Sequence, residues 1–510
     1  DNSSCSDCAG VPNGSAVEDE CGVCDGDNSS CSGCIDNSAL NYDPQATIND
    51  SSCEYAPEYN GSDWYVSTDG NDASGNGSSE YPFATIQQAI NSSADGNTVH
   101  VSTGTYVENI IWPAISGISL VGADRETTII DGGAAATVVS LTDVGDASIS
   151  GFTITNGQFE ENEDASLKRS GGIDLFGSTN ATLSDLHLTE NSGYSGGAIY
   201  VDYNSDCELS NSLLDYNTAS FGGGIRVAGV LNLNFVDIVY NSSAISFYNG
   251  QGEINNSKIS HNDDGISITG ANWADDWESP GLIFNNVEIA DNKVGSTKGQ
   301  IEIASSVSGS STSKIVFNNV TIAMSDTLSW PGSGIELYPH GPDIDLEFHN
   351  SIIGSHAAGG ILNILLEEWA TGNANVIIDY SDIVGGESSL IDIENLTYEN
   401  NIEADPRFQN PNSGDYHLLA NSFCINTGHP DSTDSDGTRM DMGAYPYLND
   451  YDGVDGWHIS TFGNDITGTG ESDNPFASIQ SGLNFAGADH IIHVSTGTYV
   501  ENIIWPDKEG

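Results

Sequence analysis

Apolar positions along this chain recur in a nine-residue phrase: apolar, two spacers, apolar or small, spacer, Ile or Leu, two spacers, and often Asn. It reads Leu183/Leu186/Leu188/Asn191, Leu209/Ser212/Leu214/Asn217, Leu233/Val236/Ile238/Asn241, Ile254/Ser257/Ile259/Asn262 and Phe284/Val287/Ile289/Asn292. Weaker copies start at Ile149, Phe317, Phe348 and Ile378. Start-to-start spacings are 34, 26, 24, 21, 30, 33, 31 and 30 residues, which suits one turn of a solenoid better than a domain. A second phrase, glycine followed by apolar, any residue, apolar, keeps step with the first. It gives Ile173-Asp174-Leu175, Ile199-Tyr200-Val201, Ile225-Arg226-Val227, Ile245-Ser246-Phe247, Ile266-Ser267-Ile268, Ile301-Glu302-Ile303 and Ile335-Glu336-Leu337. The period of two, the β-branched residues and the intervening Gly, Asn and Ser predict short strands joined by tight turns. Stacked turn upon turn, they predict an all-β parallel β-helix solenoid roughly 50 Å long. Leu188, Leu214, Ile238, Ile259 and Ile289 should then form one inward file. The Asn after the second strand suits a left-handed corner, and stacked Asn side chains can hydrogen-bond along the axis.

The ends of this pattern divide the chain. Residues 64–447 read as one β-helix with its caps, after a linker at 57–63. Pro82 to Asn91 predicts a short amphipathic helix with Phe83, Ile86, Ala89 and Ile90 on one side, placed to close the open end of the core. An acidic linker, 448–456, is followed by a second start. Trp457 to Pro506 matches Trp64 to Pro113 without a gap at an offset of 393, with 29 of 50 positions identical and HVSTGTYVENIIWP unchanged. Residues 457–510 are thus the beginning of a second β-helix, enough for a cap and about one coil. The apolar end this leaves is expected to be completed by further tandem repeats or by a neighbouring molecule.

Charge narrows the partners. With 74 acidic residues against 11 Lys and Arg, the net charge is -63, which excludes phosphate-rich partners such as nucleic acid and disfavours anionic membrane surfaces. No apolar run is long enough to span a membrane, and the chain opens at Asp1 without a signal peptide, in the manner of a mature or excised segment.

Residues 1–56 hold seven of nine cysteines: Cys5, Cys8, Cys21, Cys24, Cys31, Cys34 and Cys53. Three C-x-x-C pairs permit zinc, but so short and polar a stretch, lacking His, points to disulfides. An odd number leaves one cysteine free or paired outside the chain. ECGVCDGDNSSC (Glu20 to Cys31) resembles the cysteine-rich repeats of extracellular matrix proteases and of secreted marine bacterial proteins. Gly33 to Tyr55 resembles a short module of large bacterial surface proteins. Both imply an extracellular or cell-surface location. Gly104 to Ile110, GTYVENI, resembles the right-handed parallel β-helix family related to pectate lyases, and right-handedness is implied by that likeness. The run from Asp405 to Tyr445 resembles the closing segment of secreted bacterial modules of the same family and suits a C-terminal cap.

Two outward rows are the places to look for chemistry. Along the glycine-led strands they are Asp174, Tyr200, Arg226, Ser246, Ser267, Glu302 and Glu336. Along the other strands they are Thr153, His187, Leu213, Asp237, Lys258, Glu288, Thr321, Ile352 and Asp382. The resemblance implies that substrate, if there is one, lies on such a face, making Asp174, Tyr200 and Arg226 the catalytic candidates. Arg226 is the single cation of its row, where lyase chemistry needs a base and hydrolysis converging carboxylates. Trp273, Asp275, Asp276, Trp277 and Glu278 sit on one insertion and could hold a sugar, or the rings could simply cover the solenoid. Asp431, Asp434, Asp436 and Asp441 around Gly437, and Asp450, Asp452 and Asp455 around Gly453, alternate oxygen donors with turn glycines as calcium loops do; acidic turns explain them equally. Cys207 and Cys424 read as small buried groups. The reading is a secreted or cell-surface structural or adhesive protein that assembles with copies of itself or tandem neighbours and is stiffened by calcium. The alternatives are a polysaccharide lyase or hydrolase and a non-catalytic carbohydrate-binding module.

Overall fold

The computed structural model describes residues 6–159, 170–177, 179–270, 281–292, 300–305, 313–325, 334–339, 343–354, 364–366 and 372–505. Its main body is a right-handed parallel β-helix, the sense in which parallel crossovers run. One sheet holds eleven strands, from Ile110–Ile111 to Leu390–Ile391, seven of them the strands predicted from the second phrase. A second sheet carries the nine-residue phrase, and in its upper coils one bent strand crosses two faces, as in Thr179–Thr189.

Register decides the core. Ile154, Leu188, Leu214, Ile238, Ile259, Ile289, Ile322, Ile353 and Ile383 are successive partners, so the predicted file exists and runs further than predicted. All are fully buried in one continuous cluster, where Phe284, Phe317 and Phe348 stack with ring centroids 4.7 Å apart. Both outward rows are in register as predicted.

The corner chemistry differs from the expectation by one residue. The left-handed backbone belongs to the residue before each Asn: Glu190, Tyr216, Tyr240, His261 and Asp291. The Asn itself turns inward. Asn191 donates from N and Nδ2 to Asn217 Oδ1 at 3.0 and 3.1 Å and from Nδ2 to Ile154 O at 2.9 Å. The pattern passes through Asn241 and Asn262 to Asn292, then ends on Gln300. A buried amide is tolerated only when its polar atoms are satisfied, and stacking identical amides satisfies them along the axis. A second left-handed bend, at Asp185, Asn211, Phe235, Asn256 and Asn286, folds the strand between its two arms. Gly196 and Gly222 turn into the glycine-led strands with left-handed φ, and a Cβ on Gly197 would lie 2.2 Å from Gly223 O.

The N-terminal end is closed as expected. Helix α1, Ile86–Ser92, is capped by Thr85 and buries Ile86, Ala89 and Ile90 over the first coil. The C-terminal segment, residues 405–447, does not close the other end, contrary to the expectation of a cap. It forms a strap along the flank, and Phe408, Tyr416, Leu418, Cys424, Ile425 and Met442 pack on Ala290, Ala323 and Ile352. The last coil is left with Leu396 and Tyr398 only partly buried. Beyond the strap, helix α2, Ile479–Phe485, opens the second copy. Each copy is entered by a tyrosine edge-on to its first tryptophan: Tyr59 to Trp64 and Tyr451 to Trp457. Each hydroxyl donates to the carbonyl just before that tryptophan.

In the N-terminal region, Cys8–Cys24, Cys21–Cys31 and Cys34–Cys53 are disulfides, so no C-x-x-C pair bridges within itself. Cys5 lies outside the described residues. No helix among the described residues is long and apolar enough to cross a membrane.

Candidate functional site

The outward row of the glycine-led sheet brings Asp174, Tyr200 and Arg226 onto adjacent coils. Arg226 is not a free base there. Its guanidinium lies over the Phe221 ring at 5.2 Å and the Tyr248 ring at 5.0 Å, and it donates to Ser246 Oγ. Burial pulls its pKa down, but no common base value is approached by a guanidinium. Asp174 is buried on the same face. Further along, Glu302 and Glu336 are register partners, and the Tyr338 hydroxyl donates to Glu336. Trp273, Asp275, Asp276, Trp277 and Glu278 lie outside the described residues.

The other outward row is divided. Its upper part is open, with His187 Nε2 2.9 Å from Asp215. Its lower part, from Lys258 to Asp382, lies beneath the strap. Lys258 pairs with buried Glu288 at 2.8 Å and donates to Gly414 O at 3.2 Å. Burial raises the Glu288 pKa, Lys258 opposes that shift, and the Tyr445 hydroxyl bonds the same carboxylate. Tyr416 donates to buried Asp291 at 2.8 Å. Gly443 N reaches Asn350 O at 2.7 Å, Ala444 N reaches Thr321 Oγ1 at 2.9 Å, and the Cys424 thiol lies 3.3 Å from Asp382 Oδ2. Sequence reading missed this arrangement. Its signal was present, since Ala290, Ala323 and Ile352 put small or apolar side chains where solvent-facing residues were expected.

The strap also meets the second copy. Asn484 on α2 donates to Ala420 O at 2.9 Å and Ser422 O at 2.6 Å, and Asn426 donates back to Asn484 O at 3.1 Å. Ala420 N donates to Asp465 O at 2.8 Å, and Tyr447 to Gly468 O at 2.9 Å. The Phe485 ring sits 5.5 Å from those of Tyr447 and Trp457.

The acidic turns use their oxygens locally. Asp441 accepts from Asn426 N and Tyr447 N, each at 2.7 Å, Asp434 from Asp441 N at 2.8 Å, and Asp436 from Thr438 and Asn449. Asp452 caps its own turn at Val454 N. Burial raises the Asp434 pKa to about 6, and Asp436 repulsion adds to it. Burial, then Asp434, also raises Asp441. Among the described residues no three His, Cys, Asp or Glu side chains converge as a metal shell.

A family described as "Protein of unknown function (DUF1565)" matches residues 68–111, the first cap and coil. No curated protein sequence matches the chain. Among solved structures, the chain is similar to the mannuronan C-5 epimerase AlgE4 A-module of Azotobacter vinelandii, at 16% identity and TM-score 0.41 over 63% of this chain and 90% of that one. It is similar to XylC in complex with xylose at 10% identity and TM-score 0.44, over 65% and 76%. It is also similar to pectate lyase Pel9A at 15% identity and TM-score 0.34, over 76% and 96%. By its own strand register the chain is a parallel β-helix with an N-terminal disulfide-linked region, and that fold leaves its activity open.

Proposed function

We propose that the chain is a structural element of an extracellular or cell-surface assembly, in which stiff acidic β-helices are joined in series. The observation that carries this reading is the joint: the cap of the second copy is buried against the strap of the first through Asn484, Phe485 and Tyr447. A strap that grips its own rod on one side and the next cap on the other is a connector. The three disulfides support an oxidising compartment, and the charge keeps such rods apart in solution. Adhesion to other surfaces and assembly with further copies belong to the same proposal.

The test is hydrogen exchange and small-angle scattering on the full chain. A joined second copy gives protected α2 amides and one fixed inter-rod distance, and Phe485→Ala with Asn484→Ala loosens both. Unprotected α2 amides in the unaltered chain would sink the reading. The rival, a polysaccharide lyase or hydrolase, draws on the adjacent carboxylates Glu302 and Glu336. It predicts turnover of a polysaccharide that Glu302→Gln abolishes, whereas a non-catalytic carbohydrate-binding module would retain the sugar without cleaving it.

A further inference from the structure

The lower flank presents Lys258, Glu288, Thr321, Ile352 and Asp382 at one position of successive coils, and the strap crosses them all. At the top of this interface the carboxylate Glu288 has a cation partner in Lys258. At the bottom Asp382 has none among the described residues. It is wholly buried, and its neighbours in register are Ile352 above and Ile402 below, both apolar. One oxygen accepts from Ala404 N at 3.0 Å, and the other faces the Cys424 thiol of the strap, a weak donor. The remaining titratable groups facing it are Glu403 and Asp405 on the adjoining segment and Tyr398 on the last coil. None can neutralise a carboxylate. Removing an ion from water without a partner is costly, so the site favours the neutral acid.

We propose that Asp382, beneath Cys424, is a proton-operated latch: protonated, it lets the strap lie against the flank, and ionised, it lifts the part of the strap that carries Cys424. Burial, reinforced by Glu403 and Asp405, raises Asp382 to about 7. The strapped state therefore binds a proton that the open state releases. Its stabilisation is complete below the ordinary carboxylate range near 3.8 and is lost as pH rises through about 7. Burial also keeps Cys424 a thiol throughout this range, so it adds no charge of its own. The latch stands without the tandem reading; only its effect on the second copy, which the other side of the strap holds, rests on that reading.

Cys424 and Cys207 are the two buried free cysteines among the described residues, one under the strap and one inside the column. Alkylation of the intact, disulfide-bonded chain by iodoacetamide, resolved by peptide mass spectrometry and normalised at each pH to the denatured chain, reads the latch against an internal control. The ratio of Cys424 labelling in the folded chain to that in the denatured chain is expected to rise about thirtyfold between about pH 5.5 and 8.5, with Cys207 gauging whole-column opening, and Asp382→Asn to hold it at its low-pH value. Amide exchange at Cys424 and Met442, whose N–H groups bond Ser422 Oγ and Cys424 O, should follow the same curve in the unaltered chain once corrected for intrinsic pH dependence, which keeps the test open should the variant fold poorly. A flat ratio, or an undiminished rise in the Asn variant, would overturn the latch. Protection of α2 is read in the same spectra, so a freely swinging second copy would overturn the tandem reading while leaving the latch result standing.

Discussion

The chain contains the same fourteen residues twice, and they behave differently. In the first copy, residues 100–113, strands form at Gly104–Val107 and Ile110–Ile111, with Ile110 0% and Trp112 3% exposed. In the second copy, residues 495–505 form no strand, with Ile503 47% and Trp505 76% exposed. Sequence is held constant, so the difference lies in pairing: the first copy pairs with Thr128–Asp131 and Val139–Thr142, whereas among the described residues no strand pairs with 495–505. Polar contacts behave otherwise. Glu108 accepts from Ile86 N and Gln87 N at 2.8 and 2.9 Å, and Glu501 accepts from Ile479 N and Gln480 N at 2.8 and 3.0 Å. Clamping of cap to coil is local and survives, whereas strand formation and burial are nearest-neighbour properties of the stack.

The widest separation between the copies should come from tryptophan. Trp112→Ala is expected to destabilise the first β-helix by about 3–5 kcal/mol, and Trp505→Ala to stay within about 0.5 kcal/mol, measured by denaturant unfolding. Similar losses at both positions would mean that something covers the second copy in solution. Glu108→Gln and Glu501→Gln should instead cost alike, about 1 kcal/mol each at the cap they clamp, read from amide exchange in α1 and α2. The smallest effect concerns calcium. Because the Asp434, Asp436 and Asp441 oxygens already serve N–H groups, binding there must displace those donors. Millimolar calcium is expected to raise the melting temperature by about a degree, reversed by EDTA and absent in Asp434→Asn.

What the sequence made legible was whatever repeats. The inward file, both outward rows and the capping helix follow from spacing, because each coil poses its neighbours the same steric problem. The Asn corner was placed one residue late, since periodicity marks the buried amide more strongly than the exposed residue that bends the chain. Tyr216 and Tyr240 occupy left-handed backbone that residue type would not advertise. The strap was illegible for a different reason. Its contacts join residues far apart in the chain, Tyr416 with Asp291 and Gly414 with Lys258, and carry no period. Of the candidate chemistry, Arg226 lies on its predicted row, but the rings that hold it, Phe221 before the glycine turn and Tyr248 at the end of the next strand, belong to neither repeated phrase.

The buried amide column also says how such a protein can change length. In every coil of the column the interval from the inward Leu or Ile to the Asn is three residues, as in Leu188 to Asn191 and Ile289 to Asn292, while the path back varies freely. Genetic exchange within that triplet would therefore splice any coil onto any other without disturbing the seam, so whole turns can be gained or lost as units while a single inserted residue there cannot be absorbed.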